Sequence, residues 1–329
     1  MKATAIAHPN IALVKYWGKR NIEYNLPAAG SVSLTLGGLE TRTTVSFDGG
    51  IDADVVELND NLVDQGPKYD RVAHFLDLVR NRAGIREHAR VVSHNDFPTG
   101  AGLASSASGF AALAVAATHA AGLDLSDSEL SALARRGSGS AARSIFGGFA
   151  EMRAGTREDG QDAYAEPICG ADHWDLRCVI AVTAHGEKDI SSTEGMTRTH
   201  QTSPYYDQWV DSVSLDVEWA RAAIEQRDFD ELARIAEASC LRMHASAMAA
   251  EPGIIYWNGT TVDLIHRVRK ARKEGLPVFF TIDAGPQVKV FCPAESQTDC
   301  ELLLRDTDGV RDVLVTHPGE GARLIEETD

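Results

Sequence analysis

The first half of the chain is organised around the run Pro98-Thr99-Gly100-Ala101-Gly102-Leu103-Ala104-Ser105-Ser106-Ala107. An extended stretch with β-branched residues, 88–96, precedes it, and residues 103–121 are rich in alanine and serine and are followed by Gly122. This order predicts a strand, a glycine-rich turn and a helix that ends at the glycine. Glycines let the backbone approach a ligand closely, and a helix start offers unpaired N–H groups. The run therefore predicts a phosphate-binding turn.

The same run also allows a plainer interpretation. A glycine-rich turn between a strand and a helix is often only a connection. The run is not the GxxxxGK[ST] P-loop, because no lysine follows its last glycine. Ser105 and Ser106 nevertheless offer hydroxyl groups to phosphate oxygens or to a magnesium ion.

The overall composition is that of an ordinary globular protein. The 329 residues are 43% hydrophobic and 24% charged, and 48 acidic residues against 32 basic ones give a net charge of -16. General nucleic-acid binding relies on basic surface, so this balance argues against it. An anionic ligand would need a local basic cluster that overcomes the repulsive overall field.

The cysteines and the N-terminal residues indicate the cellular compartment. Five cysteines occur and none forms a CxxC pair, which favours reduced, packed thiols over a zinc site or a disulfide framework. The N-terminal residues lack the basic start and apolar run of a signal peptide. No stretch approaches the roughly 18 apolar residues of a membrane span. We expect a cytoplasmic protein that neither binds nucleic acid nor spans a membrane.

Strand and helix patterns are interleaved irregularly along the chain, which favours an α+β fold. We expect the boundary between two domains within 180–195, giving an N-terminal domain of residues 1–187 and a C-terminal domain of residues 188–329. Hydrophobic periodicity predicts strands at Thr41–Asp48, 179–184, 277–282 and 287–292, and helices around residues 72–79, over 126–136, in two or three pieces over 204–249, and over 260–274.

Four motifs together point to one family. The turn at 98–107 resembles the PxxxGLxSSA loop of the GHMP kinase superfamily, which wraps the phosphates of ATP. Residues 9–20 (PNIALVKYWGKR), 136–144 (RGSGSAARS) and 281–286 (TIDAGP) add a closer likeness, and 191–196 and 243–245 extend it over nearly the whole chain. The chain is thus similar to the mevalonate diphosphate decarboxylase family.

This resemblance implies a fold, a reaction and two cofactors. The fold is the two-domain α+β fold of the superfamily, with an N-terminal part like domain 2 of ribosomal protein S5 and a ferredoxin-like C-terminal part. The reaction is ATP-dependent decarboxylation of mevalonate 5-diphosphate to isopentenyl diphosphate, through transient 3-phosphorylation, in isoprenoid biosynthesis. A homodimer is also implied. Binding of ATP falls to Pro98, Gly100, Ala101, Gly102, Leu103, Ala104, Ser105 and Ser106, with Mg²⁺ near the two serines through the bound nucleotide.

The resemblance also assigns roles to individual residues. Asp283 resembles the catalytic aspartate beside the 3-hydroxyl of the substrate, Lys15 the lysine near it, and Arg143 the arginine that holds the substrate carboxylate. The other residues predicted to bind substrate are Asn10, Tyr16, Lys19, Arg71, Ser138 and Ser140.

Elementary chemistry explains these residue types. A carboxylate at Asp283 can accept or orient the hydroxyl proton while the oxygen attacks the γ-phosphate. A lysine nearby keeps that carboxylate ionised and helps to neutralise the transferring phosphoryl group. A guanidinium such as that of Arg143 can hold the carboxylate that leaves as CO₂ with a planar, two-pronged contact.

Three alternatives stay open at this point. Asn21 stands where the family usually has aspartate, and Ala28-Ala29-Gly30 precede Ser31 where it usually has polar residues. A relative that acts on mevalonate 5-phosphate would keep the three central residues and alter the diphosphate pocket. A mevalonate or phosphomevalonate 3-kinase without decarboxylation would share the fold, and a non-catalytic member would be expected to lose catalytic side chains.

Overall fold

Most strands belong to two large sheets. The computed structural model describes residues 1–97, 105–186 and 189–325. The predicted phosphate-binding residues 98–104 and the predicted domain boundary at 187–188 lie outside these ranges. The strands of the described ranges are β1 (Lys2–Ala7), β2 (Asn10–Val14), β3 (Lys19–Asn21), β4 (Leu26–Pro27), β5 (Ser31–Gly37), β6 (Thr41–Asp48), β7 (Val55–Leu58), β8 (Asn61–Leu62), β9 (His88–Asn95), β10 (Phe149–Met152), β11 (Ala165–Cys169), β12 (Leu176–Val182), β13 (Phe279–Ile282), β14 (Val288–Pro293), β15 (Asp312–Pro318) and β16 (Arg323–Ile325).

Helices cover these sheets. None in the described ranges is long and apolar enough to cross a membrane. The helices are α1 (Pro67–Ala83), α2 (Ser105–Ala120), α3 (Asp127–Gly137), α4 (Ala141–Ser144), α5 (Ser192–Thr202), α6 (Tyr206–Gln226), α7 (Phe229–Met248), α8 (Gly259–Lys273) and α9 (Gln297–Arg305).

The first sheet has six strands in the order β16-β1-β6-β9-β7-β8. Its apolar face packs against α1 and α2, and Phe75 of α1 meets Phe110 of α2 edge to face with ring centroids 5.6 Å apart. Helix α2 contributes mostly alanines, whose small side chains allow the helix to lie close to β1 and β6. The first sheet thus positions α2, and the predicted phosphate site lies at the start of that helix.

The second sheet joins the two halves of the chain. Its strands run β11-β10-β5-β15-β12-β14-β13, and β2 also pairs with β5. Strand β15 comes from the end of the chain, yet it pairs with β5 near the N-terminus and with β12 in mid-chain. One hydrophobic core accordingly includes Leu34, Phe149, Ile224 and Phe279. Strands β2 and β13, which end beside predicted site residues, are held in one packed unit.

The structure confirms the α+β prediction and most predicted elements. Residues Thr41–Asp48 form β6 with alternating burial, and Phe75, Leu76 and Val79 form the buried stripe of α1. Ser126 and Glu129 make both hydrogen bonds of a capping box at the start of α3. The long helical stretch breaks at Arg227, which adopts a left-handed conformation, into α6 and α7.

One predicted strand begins earlier than expected. Strand β12 covers Leu176–Val182 rather than 179–184, and it also ends earlier, because the backbone of Thr183 and Ala184 bonds the side chain of Gln287. The five cysteines are free thiols, and four of them are buried.

Candidate active site

A buried ion pair joins the ends of β2 and β13. Lys15 follows β2, Asp283 follows β13, and Lys15 Nζ lies 2.6 Å from Asp283 Oδ1. The Lys15 side chain is 2% exposed, and its ammonium also donates to the carbonyl oxygen of Ala12 at 2.9 Å. Asp283 keeps 29% of its side-chain surface accessible. The carboxylate is therefore the member of the pair that a ligand can reach.

A second lysine, which the sequence analysis did not predict, contacts the same carboxylate. Lys289 of β14 is buried, and its Nζ lies 3.5 Å from Asp283 Oδ2. Burial raises the pKa of the Asp283 carboxyl, but the two ammonium groups outweigh that effect and hold this pKa well below its ordinary value. Asp283 is thus an ionised hydrogen-bond acceptor. The signal available in the sequence was a lysine inside the apolar strand Val288–Pro293.

Arg143 lies in α4 and is surrounded by neutral oxygen atoms. Its Nε donates to Ser33 Oγ at 2.9 Å, Nη1 to Ser31 Oγ at 2.6 Å, and Nη2 to Asn10 Oδ1 at 3.2 Å. Asn10 is oriented in turn, because its amide donates to the Ser140 carbonyl oxygen and to Ser144 Oγ. Strands β2 and β5 and helix α4 thus fix one guanidinium.

Within the described residues, no carboxylate lies at ion-pair distance from Arg143. The side chain is 2% exposed, and burial lowers its pKa to about 10, which leaves it charged at neutral pH. A buried charge without a counter-ion costs several kcal/mol, on the order of 3–5 when one partner of a pair is removed. An anionic ligand group would offset that cost, as the predicted role of Arg143 requires.

Hydroxyl groups link the start of α2 to the turn before α4. Ser138 Oγ lies 3.4 Å from Ser106 Oγ and 3.2 Å from Ser140 Oγ. Tyr16 packs against this turn, because a Cβ atom on Gly139 would lie 2.3 Å from the Tyr16 hydroxyl oxygen. That hydroxyl is buried and has no hydrogen-bond partner among the described residues, while burial raises its pKa to about 12. Tyr16 is thus a protonated donor that is available to a ligand.

Two basic residues, Arg71 and Lys19, lie near this turn. Arg71 Nε donates to the carbonyl oxygen of Gly137 at 2.8 Å. Burial lowers the pKa of Lys19 to about 8, with a smaller contribution from the neighbouring charge of Arg71. Lys19 also lines a cavity of about 300 Å³ together with His200 and Tyr206. Lys19 and Arg71 therefore place positive charge beside the hydroxyl groups of this turn.

Helix α7 holds the backbone on both sides of the ion pair. Strand β13 is the last strand of its sheet, so its outward N–H groups have no strand partner in the order given above. Glu237 accepts from Phe280 N, and Cys240 Sγ accepts from Ile282 N at 3.2 Å. Ser239 Oγ accepts from Lys15 N at 3.0 Å. Helix α7 therefore holds the backbone of Lys15 directly and the backbone next to Asp283 through Ile282.

His244, to which the sequence analysis gave no role, completes this support. Its Nε2 lies 3.2 Å from the carbonyl oxygen of Ile282, which can only accept, so Nε2 carries the proton. Burial lowers the pKa of His244 to about 3, and the charge of Lys15 contributes. The imidazole is neutral and supports the residue just before Asp283.

The structure brings together the predicted substrate residues and the predicted catalytic residues. Asn10, Ser140 and Arg143 form one hydrogen-bonded group, and Lys15 and Asp283 form an ion pair. Of the residues predicted to bind ATP, only Ser105 and Ser106 lie in the described ranges, at the start of α2. The roles of all these residues stay predictions.

The geometry suits an anionic small molecule, and two family models identify the chain as an enzyme of one class. Residues 7–165 match the "Diphosphomevalonate decarboxylase-like N-terminal domain" and residues 178–307 the "Mevalonate 5-diphosphate decarboxylase C-terminal domain". The chain belongs to the mevalonate diphosphate decarboxylase family.

Individual relatives match this chain over most of their length. The diphosphomevalonate decarboxylase of Candida albicans is 38% identical over 316 residues, covering 92% of this chain and 87% of the relative. The phosphomevalonate decarboxylase of Haloferax volcanii is 34% identical over 331 residues, covering 100% and 99%. The solved structure described as "MDDEF in complex with MVAPP, AMPPCP and Magnesium" superposes with a TM-score of 0.91 at 44% identity and covers 99% of each chain.

The contact between Gly139 and Tyr16 generates a first prediction. In Gly139→Ala the new methyl group would displace the Tyr16 ring, so the KM for the phosphorylated substrate should rise about tenfold, equivalent to about 1.4 kcal/mol. Gly259→Ala is the matched control, because nothing lies within 4 Å of its added Cβ. Steady-state kinetics check this, and equal KM values for the two variants would contradict the role of Tyr16.

Lys19 generates a pH prediction. Its lowered pKa of about 8 means that the protonated fraction falls as the pH rises through that value. If the protonated amine binds substrate phosphate, kcat/KM should fall by up to about tenfold per pH unit above pH 8. In Lys19→Met, kcat/KM should be low already at pH 7 and should show no further fall of this kind. A profile unchanged by the substitution would exclude Lys19 as the titrating group.

Proposed function

We propose that this protein catalyses the ATP-dependent decarboxylation of mevalonate 5-diphosphate to isopentenyl diphosphate, CO₂, ADP and phosphate. The observation that carries the proposal is that Arg143 lies within electrostatic range of Asp283, which pairs with Lys15. Among the residues that the structure describes, the buried guanidinium of Arg143 bonds only neutral oxygens, which suits a substrate carboxylate. A reachable, ionised carboxylate suits a substrate hydroxyl. Mevalonate carries both groups, with the hydroxyl on carbon 3.

Phosphorylation makes the hydroxyl a leaving group. Asp283 accepts a hydrogen bond from the 3-hydroxyl and aligns its oxygen for attack on the γ-phosphorus of ATP. The new oxygen–phosphorus bond forms as the bond to ADP breaks, and the hydroxyl proton passes to an oxygen of the transferred phosphoryl group, so the Asp283 carboxylate stays ionised. Lys15, 2.6 Å from Asp283, places a positive charge where the transferring phosphoryl group develops negative charge. The protein thus contributes position and electrostatic stabilisation rather than a covalent intermediate.

Decarboxylation follows from cleavage of two bonds. The carbon–oxygen bond at carbon 3 breaks, phosphate departs with the electron pair, and positive charge builds on carbon 3. The carbon–carbon bond to the carboxylate then supplies the electrons of the new alkene, and CO₂ leaves. Arg143 fixes the orientation of that carboxylate, so the breaking bond lies in the geometry that forms the double bond.

ATP and Mg²⁺ are the proposed cofactors. ATP supplies the phosphoryl group, and Mg²⁺ neutralises charge on its phosphates when it is bound. We assign residues 98 and 100–106 to the nucleotide, with the hydroxyls of Ser105 and Ser106 nearest to the metal. The start of α2 supports this assignment, since Ser106 Oγ lies 3.4 Å from Ser138 Oγ on the substrate side. The similar solved structure described as a complex with AMPPCP and magnesium supports ATP and Mg²⁺ as the cofactors.

Mevalonate 5-phosphate is a second candidate substrate. The full-length match to a phosphomevalonate decarboxylase favours it. Tyr16, Lys19, Arg71, Ser138 and Ser140 favour the diphosphate, because two cationic side chains and three hydroxyls supply more charge and more donors than one phosphate needs. Retention of Asp283, Lys15 and Arg143 argues against a 3-kinase and against a non-catalytic member.

We also propose a cytoplasmic homodimer. The free state of all five cysteines is consistent with a reducing compartment. The dimer rests on the family resemblance. Light scattering coupled to size exclusion tests it, and a mass of 35.5 kDa in solution, that of one chain, would contradict it.

The proposed function is tested by offering mevalonate, its 5-phosphate and its 5-diphosphate separately while ADP and CO₂ are both measured. We expect equal amounts of ADP and CO₂ and the highest kcat/KM with the diphosphate. ADP without CO₂ would identify a kinase, and a preference for the monophosphate would identify the second candidate.

Asp283→Asn provides a specific test of the proposed mechanism. The amide retains the shape of the side chain but loses its charge, so turnover should fall by about 10²–10³-fold, the range for loss of one preorganised electrostatic contact. ATP binding, measured by calorimetry, should stay within a few-fold of the unmodified protein because the nucleotide is assigned to another segment. Near-normal turnover would refute the role of Asp283.

A further inference from the structure

Asp283 is shared between two buried ammonium groups. Lys15 Nζ lies 2.6 Å from Oδ1, and Lys289 Nζ lies 3.5 Å from Oδ2. The side chains of the two lysines are 2% and 1% exposed. In the proposed reaction Asp283 and Lys15 act on the hydroxyl and the phosphoryl group, and Lys289 contacts neither.

The fold encloses Lys289 in a central strand. Strand β14 lies between β12 and β13, and Lys289 pairs with Ile180 on one side and Thr281 on the other. Phe291, two residues further along, lies on the same face and stacks on Phe279 with ring centroids 5.1 Å apart. An ammonium group in such surroundings is costly, and replacing a whole buried ion pair by apolar residues is often neutral or stabilising. Stability alone therefore does not explain a lysine here.

The electrostatic surroundings of Asp283 come from several elements. Lys15 and Lys289 are its cations, Arg143 of α4 and His244 of α7 lie within electrostatic range, and Cys178 and Cys240 are buried nearby. Burial also lowers the pKa of Lys289, whereas Asp283 raises it. Each charge in this group therefore depends on the others.

Lys15 has two anionic partners during the proposed reaction. It pairs with Asp283, and it also faces the phosphoryl group that is being transferred. If Lys15 turns toward the phosphoryl group, the Asp283 carboxylate loses its closest cation in surroundings that penalise its charge. Lys289 contacts the other oxygen and is held by the sheet, so it can keep the carboxylate charged through that step.

We infer that Lys289 is a positioning residue of this reaction centre: its ammonium holds Oδ2 of Asp283, so the carboxylate stays ionised and oriented while Lys15 acts on the phosphoryl group. The inference rests on the proposed function. It assigns Lys289 no contact with substrate and no proton transfer of its own.

Lys289→Met tests the inference through the pH dependence of the chemical step. Single-turnover rates of ADP formation are measured from pH 5.5 to pH 8, and the rate of the variant is divided by that of the unmodified protein, which cancels titration of the substrates. Without Lys289 the pKa of Asp283 rises. We expect a rate about tenfold lower at pH 8, a KM changed by less than about threefold, and a ratio that falls further by about threefold or more toward pH 5.5.

Two further variants separate charge from packing. Phe291→Leu alters the same face of the same strand and should lower thermal stability without making the rate ratio depend on pH. Lys289→Gln retains a donor amide but loses the charge, so its rate ratio should show the same pH dependence as that of Lys289→Met. It replaces Lys289→Met in the experiment if that variant does not fold. Lys289→Met should be at least as stable as the unmodified protein, because a buried charge is removed while the Lys15–Asp283 pair remains.

A ratio that is constant across pH, or a rate within twofold of the unmodified protein, would overturn the inference. So would a loss of rate that only follows a loss of stability, as in Phe291→Leu. The unmodified protein distinguishes this failure from failure of the proposed function. If the unmodified protein forms equal amounts of ADP and CO₂ but the variant-to-unmodified rate ratio is constant across pH, only the role of Lys289 is contradicted. If the unmodified protein releases no CO₂ from mevalonate 5-diphosphate, both the proposed function and this inference are contradicted.

Discussion

The contact on which the site depends is the ion pair between Lys15 and Asp283, which are 268 residues apart in the chain. A buried pair of this kind is stable only if both partners are held in place, because each charge has lost most of its hydration. The second sheet satisfies that requirement by pairing β5 with β15 and β15 with β12. Helix α7 then bonds the backbone at Lys15 through Ser239 and at Ile282 through Cys240 and His244. The second sheet and helix α7 together hold Lys15 and Asp283 in contact.

The site concentrates positive charge inside an acidic protein. The chain carries a net charge of -16, yet Lys15, Lys289 and Arg143 are buried beside one another with Asp283 as the only carboxylate that pairs with any of them among the described residues. Buried charges are screened less by salt and water than surface charges. The three cations can therefore attract an anionic substrate despite the repulsion of the acidic surface. Neutral hydroxyl and amide oxygens around Arg143 keep its charge available for a ligand.

Much of the fold and of the candidate site was predictable from the sequence. The alternation of Thr41–Asp48 predicted β6, the stripe of Phe75, Leu76 and Val79 predicted α1, and the motifs around Lys15, Arg143 and Asp283 predicted the central residues. The supporting contacts were not predictable in the same way. Ser239 is a common residue in an amphipathic helix, and no local pattern indicates that its hydroxyl meets Lys15 N, since that contact depends on how α7 packs against β2.

The sequence by itself determined the chemical groups: the ionisable side chains, the hydroxyls, the glycine that admits Tyr16, and the short-range patterns that produce each strand and helix. The tertiary structure decided which of these groups lie close together and which charges have no ion-pair partner among the described residues. It placed Lys289 on the second oxygen of Asp283 and surrounded Arg143 with Ser31, Ser33 and Asn10. The physical reason is that helix and strand periodicity depend on residues a few positions apart, whereas desolvation and charge pairing depend on every atom within several ångströms. Those atoms come from distant parts of the chain.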